Sequence, residues 1–132
     1  MAGKSGAVSA GRELEDEVER IAAALGLRVQ RQVPVGRRLW GAKRKVDLVL
    51  MDAVSRKILG IECKAQATAG SAEEKIPATI HDIGAWPMPG LVVFDGTGFS
   101  EHMRSYLIST GKAVELHELE EWLRMFFVLY AS

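Results

Sequence analysis

The chain has 132 residues, 48% of them hydrophobic and 26% charged, which is the make-up of one ordinary folded domain able to bury a core without disulfides or a structural metal. A single cysteine, Cys63, excludes an internal disulfide framework and a cysteine-rich zinc site, and no apolar run approaches the ~20 residues of a membrane-spanning helix, so an intracellular, cytoplasmic protein without membrane contact is expected. The formal net charge is zero, yet residues 1–64 hold 13 Lys/Arg against 8 Asp/Glu while residues 65–132 hold 4 against 9, so local potential is a better guide to partners than the net count.

Residues 1–11 are rich in glycine and serine and are expected to form a flexible lead-in to a single domain over 12–132. Over residues 12–25 the apolar positions Leu14, Val18, Ile21, Ala22 and Leu25 recur at spacings of three and four, and Gly26 follows as a stop, which predicts an amphipathic helix. Leu27, Val29 and Val33 alternate through a strand that ends near Pro34 and Gly36. Between Arg20 and Lys45 there are eight basic residues and no acidic one, including Arg31, Arg37, Arg38, Lys43, Arg44 and Lys45. A polyanion gains affinity from such a stretch through local positive potential and counterion release, whereas outward-pointing arginines on a solvated strand pair would give the same composition. Residues 46–51 and 57–64 are two β-type runs about a polar break, hence a hairpin.

Ser71 followed by Glu74 has the capping-box spacing and opens a second helix running to about Ile83, with Pro77 expected to delay or kink it. Lys75, near its start, could reach a phosphate, a solvent-facing lysine being the default alternative. Residues 91–94 form a short buried strand, residues 95–98 a glycine-bearing turn, and residues 100–109 a helix stopped by Gly111. A short strand at 113–116 and an apolar helix at 118–130 complete the chain. The order α, β, β, β, α, β, α, β, α describes an α/β domain with a mixed sheet and helices on its faces. The final helix is apolar nearly all round, which suits core packing or a subunit interface.

Chemistry is concentrated in the hairpin. Strand alternation puts Glu62 and Lys64 on one face about 6–7 Å apart, with Ile61 and Cys63 on the other. Antiparallel pairing of the two runs brings Asp47 to the end of the partner strand where Glu62 sits. Two acids at the edge of an apolar hairpin need compensation, which a divalent cation between them supplies. A salt bridge from Lys64 to one acid, without metal, is the structural alternative.

Asp47, then Glu62-Cys63-Lys64 fifteen positions later, on consecutive β-type segments after an amphipathic helix, resembles the PD-(D/E)XK nuclease superfamily. Val46 stands where the family often has proline. Gln66 matches the extended E-x-K-x-Q form, and the first helix, from Gly11 through Glu15 to Gly26, is similar to that of archaeal Holliday-junction resolvases. The resemblance implies a restriction-endonuclease-like α-β-β-β-α-β core with extra C-terminal helices. It also implies Glu15 as the helix acid of the site, with Glu17 its nearest competitor, and Gln66 as a residue that positions substrate or solvent. Hydrolysis of a phosphodiester needs an activated water and stabilised phosphate charge. Mg²⁺, or Mn²⁺ in its place, held by Asp47, Glu62 and the backbone carbonyl of Cys63, with Glu15 contacting the site directly or through water, is expected to supply both, with Lys64 orienting the water.

The expected function is therefore a Mg²⁺-dependent DNA endonuclease without a small-molecule cofactor, of junction-resolving, phage or mobile-element, or restriction type. Arg31, Arg37, Arg38, Lys43, Arg44, Lys45 and Lys75 would hold the backbone of the DNA. One active site per chain makes a homodimer the expected assembly for cutting two strands. The alternatives are a nucleic-acid-binding module of the same fold without turnover and an RNA-processing nuclease.

Overall fold

The computed structural model describes residues 6–37, 43–65, 72–96 and 98–129, the side chains of 6–9, 37, 43, 44 and 72–76 excepted. The first helix, α1, spans Gly6–Ala24. It begins before the expected start at residue 12, so the anticipated flexible lead-in is corrected for residues 6–11, which are helical; the lead-in's first five residues lie outside the described residues. Its stop is as the sequence predicted. Gly26 adopts a φ of 84°, the Gly26 N–H donates to the Ala23 carbonyl at 2.9 Å, and the Leu27 N–H donates to the Ala22 carbonyl at 3.1 Å. That pair of bonds satisfies carbonyls the helix end would otherwise leave open, and only a residue without Cβ takes the left-handed turn at little cost.

Five strands follow in sheet order β1-β2-β3-β4-β5: β1 Arg28–Arg37, β2 Lys43–Met51, β3 Ile58–Ala65, β4 Gly90–Asp95 and β5 Ala113–Glu115. The first three pair antiparallel, and the last two join in parallel. Parallel neighbours require long crossovers, and two helices supply them: α2 (Ala72–Ile83) between β3 and β4, and α3 (Glu101–Ser109) between β4 and β5. Pro77 lies inside α2 without ending it. Ser100 caps α3 by accepting the Met103 N–H at 3.1 Å. The last helix, α4, covers Leu119–Phe126 and is shorter than the predicted 118–130. Its end is a left-handed turn at Val128, φ 58°, with the Leu129 N–H donating to the Arg124 carbonyl at 2.8 Å.

The strand alternation divides the core in two. Leu48, Leu50, Leu59, Ile61, Cys63, Leu91 and Val93 face Leu14, Val18 and Ile21 of α1 and Leu119 and Leu123 of α4. Val92 and Phe94 face the other way and pack with Ile83, Phe99 and Leu107. Burial of each such side chain stabilises the fold by about 1.5–3 kcal/mol. On this second face Gly60 and Gly90 are register partners, and a Cβ on either would come within 2.8 Å of the Trp86 ring. The paired glycines therefore form a seat for the indole beside Glu62, two residues further along β3.

Candidate metal centre and its cleft

The β2–β3 register sets Leu48 opposite Ile61 and Val49 opposite Gly60. Continued by one residue, it brings Asp47 opposite Glu62. At this point the ladder changes character: Asp47 Oδ2 accepts the Cys63 N–H at 2.9 Å, so a side chain takes the place of a main-chain acceptor. The bond fixes the Asp47 carboxylate against the strand that carries Glu62 and Lys64. Lys64 Nζ lies 3.8 Å from Glu62 Oε2, both side chains being about one-quarter exposed, at 31% and 22%. The hairpin thus unites Asp47, Glu62 and Lys64 as the alternation of residue types predicted, and it also contains the weak salt bridge of the metal-free alternative.

Burial and like charge make this a place that disfavours carboxylates without a counter-cation. Loss of solvation pushes the Glu62 carboxyl up to about 7, the negative charge of Asp47 pushes in the same direction, and the Lys64 ammonium opposes them. Asp47 is also raised, first by burial, although the Cys63 N–H pulls against it. The Cys63 thiol, turned into the core, is pushed above its ordinary range by burial and then by the surrounding carboxylates.

Glu15, on α1, adds a third negative charge that raises both Asp47 and Glu62. Glu17 instead pairs with Arg20 on the exposed side of the helix, so Glu15 is the helix acid on this side. Glu15 Oε1 accepts from Arg31 Nη2 at 3.0 Å and from Gln32 Nε2 at 3.5 Å. Among the described residues no three His, Cys, Asp or Glu side chains converge as a metal-ligating group, and the Glu15 carboxylate, expected to contact the metal site directly or through water, is directed to Arg31 and Gln32.

Arg31 is tied into the same group of acids. Expected as a phosphate contact, it donates to Asp16 at 2.7 Å and Glu19 at 3.1 Å as well as to Glu15. Docking α1 over β1 surrounds its guanidinium with three carboxylates. Lys45 is exposed and does line the cleft beside the site, together with Glu62, Lys64, Thr79, Asp82, Ile83 and Trp86. Gly36 pairs with Arg44 and Arg37 with Lys43, which places these basic positions at the same end of the β1–β2 hairpin as Lys45. The side chains of Arg37, Lys43, Arg44 and Lys75, and Arg38 and Gln66 altogether, lie outside the described residues.

Sequence reasoning gave Thr79, Asp82 and Trp86 no place in the cleft. Their signal, a face of α2 continued into the following loop, carries no motif. The donor chemistry at the centre fits a hard divalent cation: two carboxylates tied to adjacent strands, with the carbonyl of Cys63 between Glu62 and Lys64, offer oxygen atoms that could hold one in a setting that penalises uncompensated negative charge.

A family model described as a PD-(D/E)XK nuclease superfamily domain matches residues 6–127. Among solved structures, the chain is similar to the crystal structure of a protein of unknown function, AF1548, at 17% identity and a TM-score of 0.52, covering 77% of this chain and 57% of that one. It is also similar to protein VC1899 from Vibrio cholerae, at 14% identity and a TM-score of 0.53, covering 88% of this chain and 32% of that one. The chain thus spans between about a third and somewhat over half of these structures, and at such identities the likeness is one of fold. Among curated proteins, none matches.

Proposed function

The chain belongs to the PD-(D/E)XK nuclease superfamily, and from that premise we propose that it is a cytoplasmic, divalent-metal-dependent endonuclease that hydrolyses phosphodiester bonds in DNA. The observation that carries this reading is the 2.9 Å bond from the Cys63 N–H to Asp47, because it holds the first acid against the strand bearing Glu62 and Lys64. Asp47, Glu62 and the Cys63 carbonyl would hold Mg²⁺, with Mn²⁺ able to replace it. A bound ion of this kind acidifies its water and offsets charge on the scissile phosphate. Lys64 orients the attacking water and answers the negative charge that grows on the phosphate, from a strand position that keeps its ammonium beside Glu62.

Lys45 and the basic positions at the end of the β1–β2 hairpin would hold the phosphate backbone, and Gln66 would position substrate. A homodimer supplies the second active site that cutting two strands requires. The likeness of the first helix to that of archaeal Holliday-junction resolvases favours a branched substrate such as a four-way junction.

The test is an assay of the purified protein with Mg²⁺ on linear duplex, single-stranded, nicked and four-way-junction DNA and on matched RNA. Cleavage that needs the divalent ion, and is lost in Glu62→Ala and Lys64→Ala while DNA binding persists, is the expected result. Binding without cleavage by the wild-type protein would make it a module that kept the fold without turnover. Preferential cutting of RNA would assign it to RNA processing.

A further inference from the structure

Gln32 has no place in the sequence motif, yet its backbone is unusual for its position. Three non-glycine residues among those described have a positive φ: Gln32 at 54°, Arg56 at 67° and Val128 at 58°. Arg56 lies in the β2–β3 turn and Val128 just beyond the end of α4. Gln32 is inside β1, between the intact pairs Arg31↔Leu48 and Val33↔Val46, and therefore stands across from Asp47. The bulge in this hairpin falls between Pro34 and Gly36 and does not account for it. A left-handed residue with a Cβ in mid-strand is unfavourable and persists where surrounding contacts hold it, often next to functional groups.

Those contacts are two acids. Gln32 Nε2 donates to Glu15 Oε1 at 3.5 Å, the oxygen that Arg31 also reaches. Across the strand pair the same side chain meets the Asp47 carboxylate, which burial raises and which the Gln32 hydrogen bond, the smallest of the influences on it, pulls the other way. One neutral amide thus bridges a helix acid and a strand acid that repel each other.

We propose that Gln32 is a positioning residue of the metal site: its amide, turned by the left-handed backbone, clamps the Glu15 and Asp47 carboxylates relative to one another and so sets the geometry that Asp47 and Glu62 offer a divalent cation. The inference rests on the nuclease reading for the identity of the cation, and its test separates the two. Gln32→Gly keeps the left-handed backbone without strain and removes the amide, and Gln32→Asn keeps a shorter amide in a residue that tolerates this conformation.

Ca²⁺ binding is measured by titration calorimetry on the metal-free full chain without DNA, beside thermal melts and Mg²⁺-dependent cleavage. Gln32→Gly is expected to melt no lower than wild type yet to bind Ca²⁺ about tenfold or more weakly, with kcat reduced and KM for DNA unchanged. Gln32→Asn should recover part of the affinity. Should Gln32→Gly fail to fold, Gln32→Met, of similar length but without the donor, takes its place with the same expected loss. Wild-type Ca²⁺ affinity in the variant lacking the amide overturns the assignment, as does a wild-type protein that binds no Ca²⁺. If the affinities follow the expected order but the wild-type protein cuts no nucleic acid, the positioning role stands and the nuclease reading fails.

Discussion

Replacing Glu62 with glutamine removes a charge from a site that resists it, and the structure sets the sign and size of the effect. The Glu62 carboxyl is raised from its ordinary 4.5 to about 7, so the folded protein holds this proton more tightly than the unfolded chain does. Between those pH values the folded state binds more protons, and stability falls as pH rises through the window. The penalty is absent below about 4.5 and complete above about 7. At about 1.4 kcal/mol for each tenfold change in proton affinity, its ceiling is about 3 kcal/mol.

Glutamine also deprives Lys64 of its partner at 3.8 Å, and the side chain is 22% exposed, so a net gain of about 1–2 kcal/mol at pH 8 is the reasoned value. In metal-free buffer Glu62→Gln should therefore melt about 4–8 °C above wild type at pH 8 and level with it at pH 4.5. Adding Mg²⁺ or Ca²⁺ at pH 8 should stabilise the wild-type protein and leave the variant unmoved. A variant no more stable than wild type at pH 8 would refute the account of Glu62 as a charge held in an unfavourable setting.

Gly60→Ala brings a Cβ within 2.8 Å of the Trp86 ring, which lies over the Gly60–Gly90 pair; a loss of about 1–3 kcal/mol is expected in denaturant melts, with a change in tryptophan fluorescence, and an unchanged midpoint would contradict the close packing. Arg31→Ala leaves Glu15, Asp16 and Glu19 facing one another at a partly exposed site and should lower stability by about 1 kcal/mol. Its effect on the salt dependence of DNA binding should be small, whereas Lys45→Ala should reduce the slope of log affinity against log salt by about one; the opposite order in a salt titration would return Arg31 to the DNA interface.

Much of the site was legible because a strand's period of two is strict. Glu62 and Lys64 had to share a face, and an antiparallel hairpin across residues 52–57 had to bring Asp47 to them. The helix stop at Gly26 was equally readable, since it depends on a local left-handed turn. The ion pairs of Arg31 were not legible, for a different reason. Its partners are 12–16 residues earlier on another element, and a basic residue in a basic stretch has the same local signature whether it meets phosphate or a neighbouring helix. The cleft residues Thr79, Asp82 and Trp86 come from a crossover helix and its loop, whose docking is set by the parallel β3–β4 pairing and by the Gly60–Gly90 seat.

Residue order alone determined the succession of helices and strands, the mixed character of the sheet and the union of Asp47, Glu62 and Lys64, because each follows from periodicity and turn chemistry over short spans. Tertiary structure decided which charges are compensated. The pairing of Arg31 with the acids of α1, the turning of Gln32 toward Glu15, and the burial that raises Glu62 all depend on how α1 lies against the sheet. Solvation and Coulomb energies are functions of distance through space, and separation along the chain does not fix them.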